Sequence, residues 1–245
     1  MSRVLPLLWA LLVHLSGVLA VPVLNQTLMS GPVSAGQTAS LECRMQNGEI
    51  GSYYMRWYRQ RPGERPEWVL THDNERDNEI HRGSGITTRF QASRDTSSNI
   101  HILTIGSLEP QDSAVYYCSA WDDGFIFGPG TILDIKSSES RRPSVLLLPP
   151  SPEETGSGSA TLSCLVSGFK PGFVALRWSV DNVETENGVT TGTASLDTDQ
   201  SYRLISYLRV PPAAWEKGSS YSCSVSHSSL SSPLRHTISS LVCSQ

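Results

Sequence analysis

Four cysteines and two tryptophans repeat one spacing twice, and that repeat limits what the chain can fold into more than any other feature. Trp57 stands 14 positions after Cys43, and Cys118 follows; Trp178 stands 14 positions after Cys164, and Cys223 follows. A tyrosine sits two residues before the second cysteine of each set, Tyr116 in YYC and Tyr221 in YSC. A zinc site needs cysteines about two to four residues apart, and the closest pair here, Cys223 and Cys243, is 20 apart. The chain therefore carries two copies of one framework, with Cys243 left outside the repeat.

The opening residues point to a compartment. Arg3 precedes VLPLLWALLVHLSGVLA, an apolar run of signal-peptide length that ends in small residues, with cleavage expected before Val21. The run is short and broken by His14, Ser16 and Gly17, unlike a membrane-spanning helix. Removing residues 1–20 leaves 245 − 20 = 225, enough for two domains of ordinary size. No later stretch has the length and apolarity to cross a bilayer, so the expectation is a secreted product with no membrane anchor of its own, in an oxidising compartment. The formal charge is −4 and only three residues are lysine, a composition that argues against nucleic acid or anionic lipid as the main partner.

Along the rest of the chain, short runs such as SLECRM, YYMRWYRQ, NIHILTI, AVYYCSAW and TILDIK cluster β-branched and aromatic residues between Gly, Pro, Asn, Asp and Ser. After Lys136 the polar, proline-ended SSESRRP interrupts the pattern, which then begins again. The expected layout is a first β domain over 21–136, a linker over 137–143, and a second β domain with a tail over 144–245. The doubled framework resembles the immunoglobulin sandwich, in which a disulfide joins two sheets, a buried tryptophan packs on it and a tyrosine pins the turn into the later strand. That resemblance implies an all-β fold of two sandwiches in tandem, variable-type then constant-type. Bridges Cys43–Cys118 and Cys164–Cys223 follow from it, as do core positions for Trp57, Tyr116, Trp178 and Tyr221. Loops of 118 − 43 = 75 and 223 − 164 = 59 residues are long enough for each bridge to contribute on the order of 4 kcal/mol by restricting the unfolded chain.

The segments WYRQRPG, SLEPQDSAVYYC and FGPGT resemble the framework and joining segment of an immunoglobulin light-chain variable domain. PSVLLLPPSPEE, ATLSCLVSGFKPG and YSCSVSH resemble a light-chain constant domain, nearest the lambda type, and the long middle loop HDNERDNEIHRGSGI is similar to those of the surrogate light-chain variable unit, of sigma light chains and of some lambda segments. The resemblance implies an antibody light chain that joins a heavy chain to form an antigen-binding site. The alternative is a surrogate light chain or a soluble T-cell-receptor-like chain of the same superfamily. Tyr58, Gln60, Pro66, Tyr117 and Phe127 match positions by which light variable domains meet heavy ones. Tyr58 and Tyr117 are one residue out of phase with Trp57 and Tyr116, so in strands they point to the opposite face. Gly128 and Gly130 permit a bulge that frees Phe127 to face a partner. Arg89 and Asp112 match an ion pair at the base of the variable domain. Where the family has an aromatic residue before a cis proline, this chain has Lys170 before Pro171.

By the same resemblance the antigen-binding loops are residues 45–55, about 72–82, and 119–125, gathered at one end of the sandwich. They offer Tyr53, Tyr54, Asp73, Glu75, Arg76, Trp121, Asp122 and Asp123 as contacts, a mixture of aromatic and polar groups of the kind paratopes use. Cys243 matches the C-terminal cysteine that bonds to a heavy chain, and an odd cysteine in a secreted protein is expected to pair between molecules, here with a heavy chain or a second light chain. Val242 stands where the family has an acidic residue. Asn25 in NQT is an N-glycosylation acceptor motif. No G-x-S-x-G, H-E-x-x-H or phosphate-binding glycine loop occurs, and the histidines are scattered. The expectation is a binding chain, not an enzyme, with no cofactor or metal, secreted or held at the cell surface through its heavy-chain partner.

Overall fold

The computed structural model describes residues 21–27, 33–74 and 79–241. The expected signal segment 1–20, the loop residues Glu75 and Arg76, and Cys243 lie outside the described residues.

The first domain is built from β1 (Val23–Gln26), β2 (Val33–Ser34), β3 (Ala39–Gln46), β4 (Met55–Gln60), β5 (Glu67–His72), β6 (Ile80–Arg82), β7 (Phe90–Asp95), β8 (Ile100–Ile105), β9 (Ala114–Trp121), β10 (Phe125–Phe127), β11 (Thr131–Leu133) and β12 (Ile135–Lys136). One sheet has the order β1-β3-β8-β7. The other has the order β10-β9-β4-β5-β6, with β11 also on β9. Period-two alternation decides which side chains meet between the sheets. In β3, Ala39, Leu41, Cys43 and Met45 are buried and the residues between them exposed. In β4, Met55, Trp57 and Arg59 are buried while Arg56, Tyr58 and Gln60 are half-covered on the outer face. Cys43 and Cys118 are bonded across the two sheets, with Trp57 and Tyr116 fully buried in the same core. Each fully buried large apolar side chain of this kind stabilises by roughly 1.5–3 kcal/mol.

Several polar groups inside the domain are paired. Tyr116 Oη donates to the Asp112 carbonyl at 2.8 Å, closing the corner before β9. The Asp112 carboxylate, itself buried, accepts from Arg89 Nη1 at 2.9 Å and from the Glu109 backbone N–H at 2.9 Å, and lies 3.6 Å from Arg59 Nη1. The Gln26 side chain spans the break between β10 and β11: Nε2 donates to the Tyr116 carbonyl at 2.8 Å, and Oε1 accepts from the Cys118 and Gly130 N–H groups, each at 3.1 Å. A Cβ at Gly128 would strike that Gln26 amide and the Cys118 sulfur, and Gly130 has φ +92°, so neither glycine tolerates a side chain.

The second domain repeats the plan with β13 (Ser144–Leu148), β14 (Ala160–Phe169), β15 (Ala175–Val180), β16 (Val183–Thr185), β17 (Val189–Thr191), β18 (Ser195–Leu196), β19 (Tyr202–Val210), β20 (Tyr221–Ser226) and β21 (Leu234–Ile238). Its sheets run β13-β14-β19-β17 and β16-β15-β20-β21. Cys164 and Cys223 are bonded, and Trp178 and Tyr221 are buried beside them. The Lys170–Pro171 peptide is cis. The Trp178 indole donates to Ser206 Oγ at 2.9 Å. In the first domain the equivalent donor, Trp57 Nε1, is met by His101 Nδ1 at 2.9 Å.

The segment 72–82, expected as one long loop, has strand at both ends: β5 runs through His72 and β6 begins at Ile80.

Candidate partner-binding face and loop end

The outer face of the five-strand path in the first domain is set by ladder register. Across it, Thr71 lies opposite Arg56, Arg56 opposite Ser119, and Ser119 opposite Phe127. A register shift between Trp57 and Tyr58 then places Trp68 opposite Tyr58, which lies opposite Tyr117. Two parallel rows result, one led by aromatic rings and one mixed. The Tyr58 and Phe127 rings are 5.7 Å apart, Phe125 and Phe127 6.1 Å. Trp68, Phe125 and Phe127 are 38%, 45% and 54% exposed, a concentration of large apolar surface that a lone sandwich has no need to present. Gln60 Nε2 donates to the Glu64 carbonyl at 3.0 Å, tying off the turn that carries the exposed Pro66. Of the five residues expected at a partner interface, Tyr58, Tyr117 and Phe127 meet on this face, Gln60 lies at its margin and Pro66 on the turn leading into β5. Arg56, Trp68, Ser119 and Phe125 belong to it as well and were not anticipated; Arg56, Ser119 and Phe125 each sit two residues along the strand from Tyr58, Tyr117 or Phe127, which was the available signal, while Trp68 comes from the neighbouring strand.

The loop end adjoins the upper margin of this face. Trp121 and Phe125 meet edge to face at 4.8 Å, and the turn between them closes with the Asp122 N–H on the Gly124 carbonyl at 2.8 Å and Asp123 at φ +49°. Trp121, Asp122 and Asp123 are exposed there, while Tyr53 and Tyr54 are half-buried. Burial raises the Tyr53 phenol above its ordinary value, and the nearby Asp122 carboxylate adds to the shift. Asp73, an expected contact, is buried, and its carbonyl accepts from Arg94 Nη1 at 2.8 Å. Arg94 Nη2 also reaches the Tyr53 carbonyl at 2.9 Å and the His72 carbonyl at 2.8 Å, so one guanidinium holds the first and middle loops together. Burial lowers the Arg94 value, with Asp73 opposing. Asn99 anchors the first loop from below, accepting the Ile50 N–H at 2.7 Å and donating to the Met45 and Gly48 carbonyls. Glu75 and Arg76, expected contacts in the middle loop, lie outside the described residues.

Asn25 is exposed on β1, which pairs on one side with β3. Among the described residues no group of three or more His, Cys, Asp or Glu is placed to hold a metal ion. No described helix is long and apolar enough to cross a membrane.

The immunoglobulin V-set domain model matches residues 29–136, and the immunoglobulin C1-set domain model matches residues 145–230. An immunoglobulin omega chain of Mus musculus is 41% identical over 110 residues, which cover 44% of this chain and 75% of that protein. The chain belongs to the immunoglobulin family. As an immunoglobulin chain it joins a V-set to a C1-set domain, each with its own bridge between sheets. In this immunoglobulin the constant domain has an exposed apolar face too. Leu146, Leu165 and Ile205 lie in one row across β13, β14 and β19, and Leu148, Ser163 and Tyr207 in the next. Leu146, Leu148, Ile205 and Tyr207 are all among the exposed large side chains.

Proposed function

We propose that this is a light chain of an antibody: it pairs through the outer face of the V-set domain with the variable domain of a heavy chain, and the two loop ends together bind antigen. The observation that carries this is the row Trp68–Tyr58–Tyr117 beside Phe127 and Phe125, an aromatic surface on an otherwise soluble sandwich. Aromatic residues with little charge mark the buried centre of a protein interface. The apolar rows of the constant domain supply a second docking face for a second immunoglobulin domain. The chain acts by binding, without catalysis, and is secreted or displayed at the cell surface by its partner. Glu75, Arg76 and the exposed Trp121, Asp122 and Asp123 contribute to the antigen site, with Tyr53 and Tyr54 beneath them; Cys243 forms the covalent link to the heavy chain.

Similarity to an immunoglobulin omega chain supports a second reading, a surrogate light chain that occupies the same place beside a heavy chain. It uses the same face; a surrogate chain would normally divide the two domains between polypeptides, whereas this chain joins a V-set to a C1-set domain. Replacing both Tyr117 and Phe127 with aspartate tests the shared claim. Association with a heavy variable domain weakens by at least about tenfold, while circular dichroism shows the unpaired chain still folded. Unchanged association places the interface elsewhere, and an unfolded variant places those rings in the core.

A further inference from the structure

Within the proposed pairing face lies a recess of about 500 Å³, lined by Tyr54, Arg56, Tyr58, Trp68, Thr71, Asp73 and His81. The Arg56 guanidinium lies over the Phe125 ring, 4.9 Å from its centre. Stacking covers the face of the guanidinium and leaves its edge N–H groups for an acceptor in the same plane. Arg56 Nε is buried and has no hydrogen-bond partner. Ser119, directly across the ladder from Arg56 and fully buried, also leaves its Oγ without one. Elsewhere in the domain, Arg59, Arg61 and Arg89 each hold a carboxylate. Among the described residues none holds Arg56. Arg56 is half-covered, with its Nε withdrawn from water beside the buried Ser119 Oγ, on a face that is otherwise aromatic, so an acceptor at the open edge of the guanidinium offsets a cost already present.

We propose that Arg56 receives a carboxylate side chain, aspartate or glutamate, carried by the immunoglobulin domain that covers this face. The inference rests on the pairing reading above. A carboxylate matches the in-plane N–H edge of a guanidinium with two oxygens. The other ionisable groups lining the recess do not supply that acceptor: the Asp73 side chain is buried beside Arg94, and His81 lies 3.8 Å from Glu79. A free small anion would be sealed in by the same covering domain, so the occupant belongs to that domain. Exposed Asp122 and Asp123 at the loop tip repel acid elsewhere on this end, which makes the recess selective for where the partner's acidic residue sits.

The test is selection of heavy-chain variable domains from a library with a randomised third loop, on the full wild-type chain and on Arg56→Gln. The wild-type chain enriches aspartate or glutamate at one loop position, and Arg56→Gln does not. For a domain so selected, changing its acidic residue to the amide weakens binding to the wild-type chain by about tenfold or more, and adds nothing further against Arg56→Gln. The first half of that cycle needs no change to this chain, so it stands even if Arg56→Gln folds poorly. Domains that bind both chains with no acidic preference overturn the carboxylate site and leave pairing intact. Failure of the wild-type chain to capture any heavy domain overturns pairing itself, and this inference with it.

Discussion

His101 Nδ1 accepts the indole N–H of Trp57 at 2.9 Å, with both side chains fully buried between the sheets. Because an indole nitrogen only donates, His101 Nδ1 carries no proton there, so Nε2–H donates to His72 Nδ1 at 3.0 Å. The neutral ring satisfies both ends of this chain. A second proton on His101 would set N–H against N–H at Trp57 and place a cation in the core near Arg94.

Burial pushes the His101 imidazole well below the ordinary histidine value, and the Arg94 charge, or a proton taken up by His72, pushes the same way. The unfolded chain therefore binds a proton that the folded domain refuses. Stability is present at neutral pH and falls as pH drops below about 6.5, by up to about 1.4 kcal/mol per pH unit for this group, until the lowered folded value is reached. His101→Gln keeps an acceptor for Trp57 and removes the titration. Urea unfolding of the variant followed by fluorescence between about pH 7.5 and 5 gives a flatter curve than the wild type; parallel curves show that His101 is not the acid-sensitive group.

Asp112 makes a different kind of core. Its carboxylate is almost fully buried and gathers Arg89, the more distant Arg59 and a backbone N–H. Asp112→Asn removes the buried counter-charge that Arg89 and Arg59 share, leaving them only the more exposed carboxylates Glu109 and Glu67, and is expected to cost about 3 kcal/mol. Arg89→Met costs less, about 1–2 kcal/mol, because Arg59 stays near the carboxylate. Guanidinium denaturation midpoints measure both. Equal losses mean that Arg59 does not share the pair.

Asn25 is exposed and its neighbour Leu24 buried, so a glycan at Asn25 projects away from the core. Secreted chain is expected to lose mass on treatment with an N-glycosidase, and Asn25→Gln to abolish that loss. An unchanged mass in the untreated comparison shows the motif unused.

Alternation along strands made much of this legible from the sequence. The one-residue offset between Trp57 and Tyr58, and between Tyr116 and Tyr117, separates core from outer face because β4 and β9 keep their pleat through the site. The same rule applies to Arg56 and Ser119, which the sequence reading did not single out, but a period of two gives the side of a sheet and not what lies across it; the Phe125 ring reaches Arg56 from another strand. His101 shares the inward phase of Leu103 and Ile105, yet its partners Trp57 and His72 come from strands 44 and 29 residues away.

The central claim is that this chain is built to be half of an immunoglobulin pair. Its most direct measurement is co-expression of the full chain with a heavy chain, followed by mass analysis of the secreted product on a denaturing gel before and after reduction, beside a Cys243→Ser variant. The account predicts a covalent light–heavy product that separates on reduction; with Cys243→Ser the two chains run apart on the gel but still elute together from a sizing column under native conditions. A wild-type chain that emerges alone in both measurements, or whose Cys243 is found by peptide mapping to be bonded to Cys164 or Cys223, contradicts it.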